Sequence, residues 1–319
     1  MNSTSNREGL IQTVRGAIQP DQLGVTLPHE HLYDQLWEIP GRNDYAGQLD
    51  DDEVVCEEVL SFRKAGGQSI VECTVRGIGR DPEKLARVSE RTGVHIVMGC
   101  GWYREPYYPA GDLIDRRSVD DLAREIIAEI EDGVGGSRIR PGIIGEVGTD
   151  KSWVSAQEER VHRALARAHL TTGLALTTHS IGKPVGLSEL DIFEDEGVDL
   201  RRVIIGHCDH PFCLSLEYQR EILKRGAYAQ FDTVGNKPPE LEERAFQLLL
   251  KHLEAGYADQ LLLSQDVCKM QHFRCLGGNG FTYVLDIFLP KLCKAGVSED
   301  LIHKMTVENP KRILTIKHY

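Results

Sequence analysis

Amphipathic helical patterns alternate with short, continuous apolar runs along most of the chain, and this alternation restricts the fold more than any other feature. A helical pattern from Asp51 to Ala65 ends at a glycine pair and is followed by the apolar run Ser69–Cys73. Further along, Ser155 and Glu158 have the spacing of a capping box at a helix start. Helices that alternate with buried strands are typical of parallel β/α units. We therefore predict an α/β fold with a parallel sheet.

The number of apolar runs predicts how this sheet closes. We count about eight candidate strands, the number that forms a (β/α)8 TIM barrel. They are Gly24–Leu27, Ser69–Cys73, His95–Cys100, Gly142–Glu146, Ala175–His179, Val203–His207, Tyr228–Phe231 and Leu261–Ser264. Because no linker or repeat separates the units, residues 1–319 are predicted to form a single barrel domain. Residues Ile11–Ile18 are predicted to add a short hairpin at the N-terminal side of the barrel.

Charge and composition limit the class of partner. The chain has 37 Lys and Arg against 49 Asp and Glu, which gives a net charge of −12. This charge repels polyanions and argues against nucleic acid or an anionic membrane as the main partner. The first 20 residues lack the apolar run of a signal peptide, and the eight cysteines form no CxxC pair. We expect a cytoplasmic protein that acts on a small molecule.

Six imidazole and carboxylate side chains lie at the carboxyl ends of predicted strands, which form the catalytic face of a TIM barrel. They are His29, His31, Glu146, His179, His207 and Asp266. In an extended segment, His29 and His31 point to the same side while Glu30 points away. Each residue alone has an ordinary alternative, such as a hydrogen bond within a polar loop or to the start of the next helix. Together they favour a metal site in which Glu146 can bridge two cations.

Substrate contacts are expected in the loops that follow the strands, above all 101–117 and 267–281. Aromatic and basic side chains in these loops and after the seventh strand can form a wall and place positive charge beside an anionic group. The tentative substrate-binding residues are Tyr103, Lys237, Lys269 and Arg274. For each basic residue the alternative is a solvated surface position. As a group they indicate a small, anionic ester, lactone or amide.

These motifs resemble the phosphotriesterase family of the amidohydrolase superfamily. The resemblance spans about residues 24–314 and extends to the family's phosphotriesterase-related and lactonase branches. The segments that carry it are Pro28–Leu32, Gly145–Gly148, His179, Gly206–Asp209, Asp266, Gly277–Phe281 and Val307–Leu314. It implies a (β/α)8 barrel with two divalent metal ions. Zinc is the expected metal, with Mn²⁺ or Co²⁺ as alternatives, and a homodimer is compatible with the resemblance.

The resemblance also implies a role for each ligand. The buried ion is assigned to His29, His31 and Asp266, the more exposed ion to His179 and His207, and the bridge to Glu146. Well-known members have a carboxylated lysine in the place of Glu146, and this departure weakens the case for organophosphate hydrolysis. A second departure is Gln265, where many relatives have histidine.

The implied reaction is hydrolysis, in which a metal-bridging hydroxide attacks an ester, lactone or amide and the catalytic residue Asp266 takes the proton. Hydrolysis of a phosphoester or phosphotriester is the first alternative. The second is a metal-dependent nuclease like TatD, whose family has a similar ligand pattern; the acidic chain argues against it.

Overall fold

The computed structural model describes residues 7–36 and 48–318, which contain a barrel of parallel strands surrounded by helices. The strands are β1 (Ile11–Thr13), β2 (Gly16–Ile18), β3 (Thr26–Glu30), β4 (Asp34–Gln35), β5 (Gln48–Leu49), β6 (Ser69–Glu72), β7 (His95–Cys100), β8 (Ile143–Gly148), β9 (Leu176–His179), β10 (Val203–Ile205), β11 (Tyr228–Phe231) and β12 (Leu261–Leu263). β3 and β6–β12 form one eight-stranded sheet in sequence order. β12 meets β3 where the Asp266 N–H donates to the His29 carbonyl at 3.3 Å. The predicted (β/α)8 barrel is confirmed.

The helices follow the strands as the sequence predicts. They are α1 (Asp52–Lys64), α2 (Pro82–Thr92), α3 (Val119–Asp132), α4 (Ala156–Thr172), α5 (Val185–Asp195), α6 (Leu216–Lys224), α7 (Pro239–Glu254), α8 (Leu289–Lys294), α9 (Glu299–His303) and α10 (Asn309–Leu314). The predicted capping box is present at α4, where the Ser155 hydroxyl accepts from the Glu158 N–H. Every helix among residues 7–36 and 48–318 is too short or too polar to cross a membrane.

The apolar spacing in Tyr283–Ala295 and in Ser298–Val307 predicts two regular C-terminal helices, and the structure differs from both. The pattern from Tyr283 to Ala295 divides into a π-helical turn, Val284–Phe288, and the short helix α8. The pattern from Ser298 to Val307 likewise contains a π-helical turn, Lys304–Glu308, between α9 and α10. Pro290 and Pro310 lie just after these turns and lack the N–H that a regular α-helix would use there. The interruption therefore follows from the two prolines.

The hairpin of β1 and β2 covers the amino ends of the barrel strands, as predicted. The Val14 N–H donates to the carbonyl of Ile96, the second residue of β7, at 2.9 Å. Gly142, which precedes β8, packs directly against β1 of the hairpin. A Cβ atom at this position would be 2.1 Å from the Gln12 carbonyl oxygen. The opposite ends of the strands are left for the polar side chains.

Two buried apolar layers give the barrel its rigidity. One layer joins alternate strand residues, such as Val97, Ile143 and Ile204, to Ile11 of the hairpin. The other joins the intervening strand residues, such as Ile144, to the surrounding helices. This division follows from the period of two in a strand, which points successive side chains to opposite faces of the sheet.

Candidate metal centre

The six predicted side chains meet at the carboxyl ends of the barrel strands. His29 lies within β3 and His31 just after it, Glu146 lies within β8, His179 ends β9, His207 follows β10 by two residues, and Asp266 follows β12 by three. β3 begins and ends later than the predicted strand at 24–27, so the strand itself carries His29. As the strand period predicts, the His29 and His31 rings lie on one side, with centroids 5.7 Å apart.

Glu30 points away from this cluster, as predicted, and joins the first barrel strand to the last. Its carboxylate accepts a hydrogen bond from the Ser264 hydroxyl at 2.7 Å and from the Gln265 and Val267 N–H groups at 2.8 Å each. The backbone on both sides of Asp266 is thereby fixed against β3. Glu30 therefore positions Asp266 without facing the cluster.

Two of the six residues have a left-handed backbone that non-glycine residues rarely adopt. The φ angle is +59° at His207 and +50° at Asp266, and each residue lies just beyond the end of its strand. A residue in this region is strained by about 1–3 kcal/mol, and such strain concentrates at functional sites. The two conformations turn these side chains at the place where the strands end.

Glu146 lies between two groups of side chains. Its Oε2 is 2.7 Å from His29 Nε2 and 3.6 Å from His31 Nε2, and His31 Nε2 is 3.4 Å from Asp266 Oδ1. Its Oε1 is 2.7 Å from His179 Nδ1 and 3.9 Å from His207 Nε2. One carboxylate oxygen thus faces the first group and the other oxygen faces the second group.

The donor atoms in this cluster suit divalent cations. His29, His31 and Asp266 form one group whose ligand atoms lie within 4.8 Å of one another, and His29, Glu146 and His207 form another. Imidazole nitrogen and carboxylate oxygen are ligands of Zn²⁺ and of other divalent metals. Among the described residues, neither His29 Nε2 nor Glu146 Oε2 has a hydrogen-bond partner, although the two atoms are only 2.7 Å apart. A cation bound by both His29 Nε2 and Glu146 Oε2 would satisfy these two buried atoms.

The carboxylates and His179 have protonation states that agree with this fit. At His29, His31 and His207, burial is outweighed by the neighbouring carboxylates, which raise the pKa, so a bound cation would displace the proton from these rings. Burial would raise the pKa of Glu146, but the neighbouring His179 and His29 hold that pKa well below its usual range. Burial lowers the pKa of His179 to about 3, so this imidazole is neutral and its lone pair is available near pH 7. The pKa of Asp266 is lowered despite burial because His31 bonds it and because His207 lies nearby. The carboxylates are ionised, as metal binding requires.

A second layer of side chains fixes the imidazoles. Asp232 accepts from the His207 N–H at 2.9 Å and lies 2.9 Å from His207 Nδ1. The same carboxylate is 3.4 Å from His29 Nδ1. On the other side, Thr74 Oγ1 is 2.9 Å from His31 Nδ1. Such partners orient the ring nitrogens that face a metal.

Sequence analysis missed Asp232, although it carries the signal used for the other six residues. It directly follows β11, the seventh barrel strand, whose end was assigned no polar ligand. Asp209 supports it by accepting from the Asp232 and Thr233 N–H groups at 3.0 and 3.1 Å. Lys237 in turn bonds Asp209 and the Thr233 carbonyl.

A cavity of about 460 Å³ opens above the cluster. Three of the four predicted substrate-binding residues, Tyr103, Lys237 and Lys269, line it, and the Tyr103 hydroxyl lies 3.1 Å from His179 Nδ1. Arg274 lies elsewhere, with its N–H bonded to Glu58. A larger open groove of about 710 Å³ holds none of the six cluster residues and is not the site.

Gln265, the departure from many relatives, does not face this cavity. Its side-chain amide donates to the Gly280 carbonyl and accepts from the Val284 N–H at 3.1 Å. It therefore connects the end of β12 to the loop that leads into the C-terminal helices.

The charge of the cavity wall is opposite to that of the whole chain. Among the described residues that line the cavity, Glu146 and Asp266 are acidic, and the other charged residues are basic. They are Arg104, Lys237 and Lys269, and His210 and His272 lie beside them. Arg104 is a second residue that sequence analysis missed, although it follows Tyr103 in the loop after β7. The cavity wall is therefore locally basic although the whole chain has a net charge of −12.

A TIM barrel with paired histidines, a central carboxylate and a terminal aspartate defines a metal-dependent hydrolase. Comparison with known sequences gives the particular family. The Phosphotriesterase family profile matches residues 9–314, and the chain belongs to this family, whose members depend on two metal ions. The predicted resemblance is confirmed.

Three relatives place the chain within the family. The phosphotriesterase homology protein of Escherichia coli is 34% identical over 292 residues, covering 92% of this chain and 98% of that protein. Its crystal structure, with phosphate in the active site, superposes with a TM-score of 0.87. The N-acetyltaurine hydrolase of Tetraodon nigroviridis is 31% identical, covering 98% of this chain and all of that protein. A lactonase from Listeria monocytogenes is 28% identical with a TM-score of 0.89, covering 97% of this chain and 99% of that chain.

Proposed function

We propose that this hydrolase holds two divalent metal ions and cleaves a small, anionic ester, lactone or amide. The observation that carries the proposal is the position of Glu146, whose two oxygens face separate groups of ligand atoms. A carboxylate in that position can bridge two cations. Under this proposal His29, His31 and Asp266 would hold one ion, His179 and His207 would hold the other, and Glu146 would contribute to both. Zinc is the proposed metal, since imidazole dominates the donor set.

When bound, two such ions lower the pKa of a water molecule and polarise the substrate oxygen. The protein's own groups complete the reaction. Asp266 has the most exposed side chain of the six, at 17%, and its lowered pKa keeps it ionised. It would accept the proton of the attacking water and pass it to the leaving oxygen or nitrogen as the bond between that atom and the carbonyl carbon breaks. The Tyr103 hydroxyl lines the same cavity and can donate to a substrate oxygen. Ile78 and Ile181 in the wall limit the access of bulk water.

The basic cavity wall supports an anionic substrate. Lys269 lines the cavity, is exposed and has no ion-pair partner among residues 7–36 and 48–318. Lys237 is held by Asp209 and is 3% exposed, so its charge is fixed at the wall. N-acetyltaurine hydrolases, which are named for an amide, and a lactonase are among the relatives. We infer that a carbonyl carbon is attacked in a substrate that carries a negative charge.

Phosphoester hydrolysis is a second candidate. It is favoured by one observation, the phosphate in the active site of the Escherichia coli relative. The same basic wall that suits a carboxylate or sulfonate suits a phosphate. A nuclease is less well supported, because the chain matches the phosphotriesterase family and because a cavity of about 460 Å³ suits a small molecule.

The experiment that tests the proposal combines metal analysis with a substrate screen. Purified protein should contain about two divalent ions per chain. The screen uses N-acetyltaurine, N-acyl amino acids, simple and phosphorylated lactones, and aryl phosphotriesters with zinc-, manganese- or cobalt-loaded protein. Turnover of a carbonyl substrate supports the proposal. Turnover of phosphoesters alone supports the second candidate.

The Asp266→Asn variant tests the role of Asp266. The amide keeps an oxygen that can ligate a cation but is a poor proton acceptor. We therefore expect most of the metal to remain while kcat falls by about 10²- to 10⁴-fold. Asp259→Asn, on the surface beside Lys304, is the matched control. Unchanged turnover in Asp266→Asn would contradict the proton-accepting role.

A further inference from the structure

Arg104 is a half-buried cation that the proposed reaction does not use. It lines the cavity above the cluster, yet its side chain is only 17% exposed. Its Cζ atom lies 4.7 Å from the centroid of the Tyr103 ring and 4.9 Å from that of the Tyr107 ring. Contacts of this kind hold a planar guanidinium over an aromatic face. The two tyrosines therefore fix the orientation of Arg104.

The guanidinium is incompletely paired. Asp150 accepts from its Nη1 at 3.4 Å, which is a long contact. The Nε–H is buried and finds no acceptor among the described residues. Apart from the long bond to Asp150, the terminal N–H groups of the guanidinium have no acceptor among the described residues and can donate to a ligand in the cavity.

The place of Arg104 is set by a glycine at the end of β8. A Cβ atom at Gly148 would lie 2.6 Å from His179 Cβ and 3.2 Å from Arg104 Cγ. The stem of Arg104 thus crosses the backbone beside His179, on the side of the cluster where Glu146 Oε1 lies. A ligand that contacts Arg104 is therefore next to the proposed reaction centre.

We propose that Arg104 is a specificity-determining residue that binds the acidic group of the substrate, a carboxylate, sulfonate or phosphate. This inference rests on the proposed function for the reaction, and it adds the residue that binds the negatively charged group of the substrate. A guanidinium binds such groups through paired N–H donors, whereas a lysine offers a point charge. Lys269 also lines the cavity and, as an exposed lysine, adds attraction without fixed geometry.

The test compares two chromogenic esters that differ in charge. The p-nitrophenyl monoester of succinate carries a carboxylate, and p-nitrophenyl pentanoate is its neutral counterpart. The measured quantity is the ratio of kcat/KM for the anionic ester to kcat/KM for the neutral ester. In Arg104→Met we expect this ratio to fall about 10- to 100-fold, mainly through KM of the anionic ester, because a charge-assisted hydrogen bond is lost. Arg104→Lys should recover part of the ratio.

Arg116→Met is the matched control, because Arg116 belongs to the same loop, is 72% exposed and does not line the cavity. Its ratio should equal that of the unchanged protein. Metal content and melting temperature are measured for each variant, so that loss of the cluster is not mistaken for loss of specificity. A ratio in Arg104→Met within twofold of the original would overturn the proposal.

A binding measurement separates this inference from the proposed function. Propanesulfonate has no hydrolysable bond, and calorimetry gives its Kd for metal-loaded protein. We expect the Kd to rise at least tenfold in Arg104→Met and to be unchanged in Arg116→Met. If the protein hydrolyses neither ester, the proposed reaction fails while the Kd still tests Arg104. An equal Kd in the original and Arg104→Met proteins would overturn the role of Arg104. If Arg104→Met does not fold, the same two measurements are made on Arg104→Lys.

Discussion

At the scale of single residues, Asp232 shows how much a proposed ligand depends on its supporting partner. It bonds both the backbone N–H and Nδ1 of His207, and it also lies near His29. Its carboxylate therefore fixes which nitrogen of His207 faces the cluster. Partners of this kind typically change metal affinity or activity by about 10- to 100-fold when they are removed.

We predict that Asp232→Ala loses metal more readily than the original protein. The His207 ring would be free to rotate, so the ion assigned to His179 and His207 should dissociate first. Chelator titration followed by metal analysis should show one of two ions released at about 10- to 100-fold lower chelator concentration. Asp195→Ala, at a 69% exposed position beside Arg163, is the control. Identical release curves for Asp232→Ala and the original protein would contradict the assigned role.

The six cluster residues could be predicted because each is a metal-type side chain at or just after a strand end. Their convergence follows from barrel geometry, which brings the carboxyl ends of all strands to one face. Arg104 could not be predicted in the same way. Its burial depends on Tyr107, Asp150 and Gly148, which approach it only in the folded barrel. In the sequence it cannot be distinguished from a solvated arginine.

At the scale of elements, β8 carries one functional side chain and its last residue limits the positions of two others. Glu146 lies within it, and Gly148 ends it against His179 and Arg104. A contact of 2.6 Å between Cβ atoms is closer than real structures allow, so any side chain at 148 must displace its neighbours. The glycine is therefore required by space.

We predict that Gly148→Ala impairs the site while the barrel still folds. The methyl group would push His179 away from Glu146, so metal affinity and kcat/KM should both fall, by about tenfold or more. Gly111→Ala is the matched control, since a Cβ atom there meets nothing within 4 Å. Steady-state kinetics with metal analysis measures the effect. Full activity and metal content in Gly148→Ala would show that His179 tolerates the displacement.

Helix α4 contains a histidine that makes stability depend on pH. Burial lowers the pKa of His169 to about 4, and the ring lies 2.6 Å from the Leu174 carbonyl oxygen. An unfolded chain binds this proton below about pH 6.5, so between pH 6.5 and 4 the unfolded state holds more protons than the folded state. Above pH 6.5 the ring is neutral in both states, so it does not lower the free energy of unfolding. As the pH decreases from 6.5 to 4, proton binding favours the unfolded state and the free energy of unfolding falls.

We predict that His169→Asn weakens this pH dependence. At pH 5 the buried histidine lowers the free energy of unfolding by about 2 kcal/mol relative to pH 7, and the variant lacks this contribution. Urea unfolding at pH 7 and at pH 5 gives the difference for each protein. His303→Asn, at an exposed position of α9, should behave as the original protein does. Equal pH dependence in His169→Asn and the original would contradict the buried, neutral state.

The boundaries of elements were predicted less well than their existence. Caps such as Ser155 are local signals and were found, whereas the π-helical turns at 284–288 and 304–308 were missed. A proline within a helical pattern indicates an interruption, but the pattern does not show how the backbone adjusts. The start of β3 was also misplaced, because Pro28 and two histidines interrupt the apolar run on which the prediction relied.

At the scale of the whole molecule, barrel closure depends on a polar contact. Glu30 in β3 accepts three hydrogen bonds from the segment that follows β12, and it is fully buried. Sequence alone predicted the number of strands and their order. It did not predict this closing contact, because Glu30 and Val267 are more than 200 residues apart and only the closed sheet makes them neighbours.

We predict that Glu30→Gln destabilises the barrel. One carboxylate oxygen becomes an NH2 group and can no longer accept from every donor, so a buried N–H or O–H remains unsatisfied. The free energy of unfolding should fall by about 1–3 kcal/mol, measured by urea unfolding at pH 7. Glu57→Gln, exposed on α1, should change it by less than about 0.5 kcal/mol. Stability equal to that of the original would show that the closing contact contributes little.

Residues near the two ends of the described chain meet beneath the barrel. The Gly9 N–H donates to the Ile316 carbonyl, and the Ile316 N–H donates to the Leu10 carbonyl, at 2.9 Å each. Since the hairpin beside them covers the amino ends of the strands, Gly9 and Ile316 lie on the face of the barrel opposite the cavity. An enzyme immobilised through an exposed side chain on this face, such as Lys317, would turn its catalytic face toward the solution.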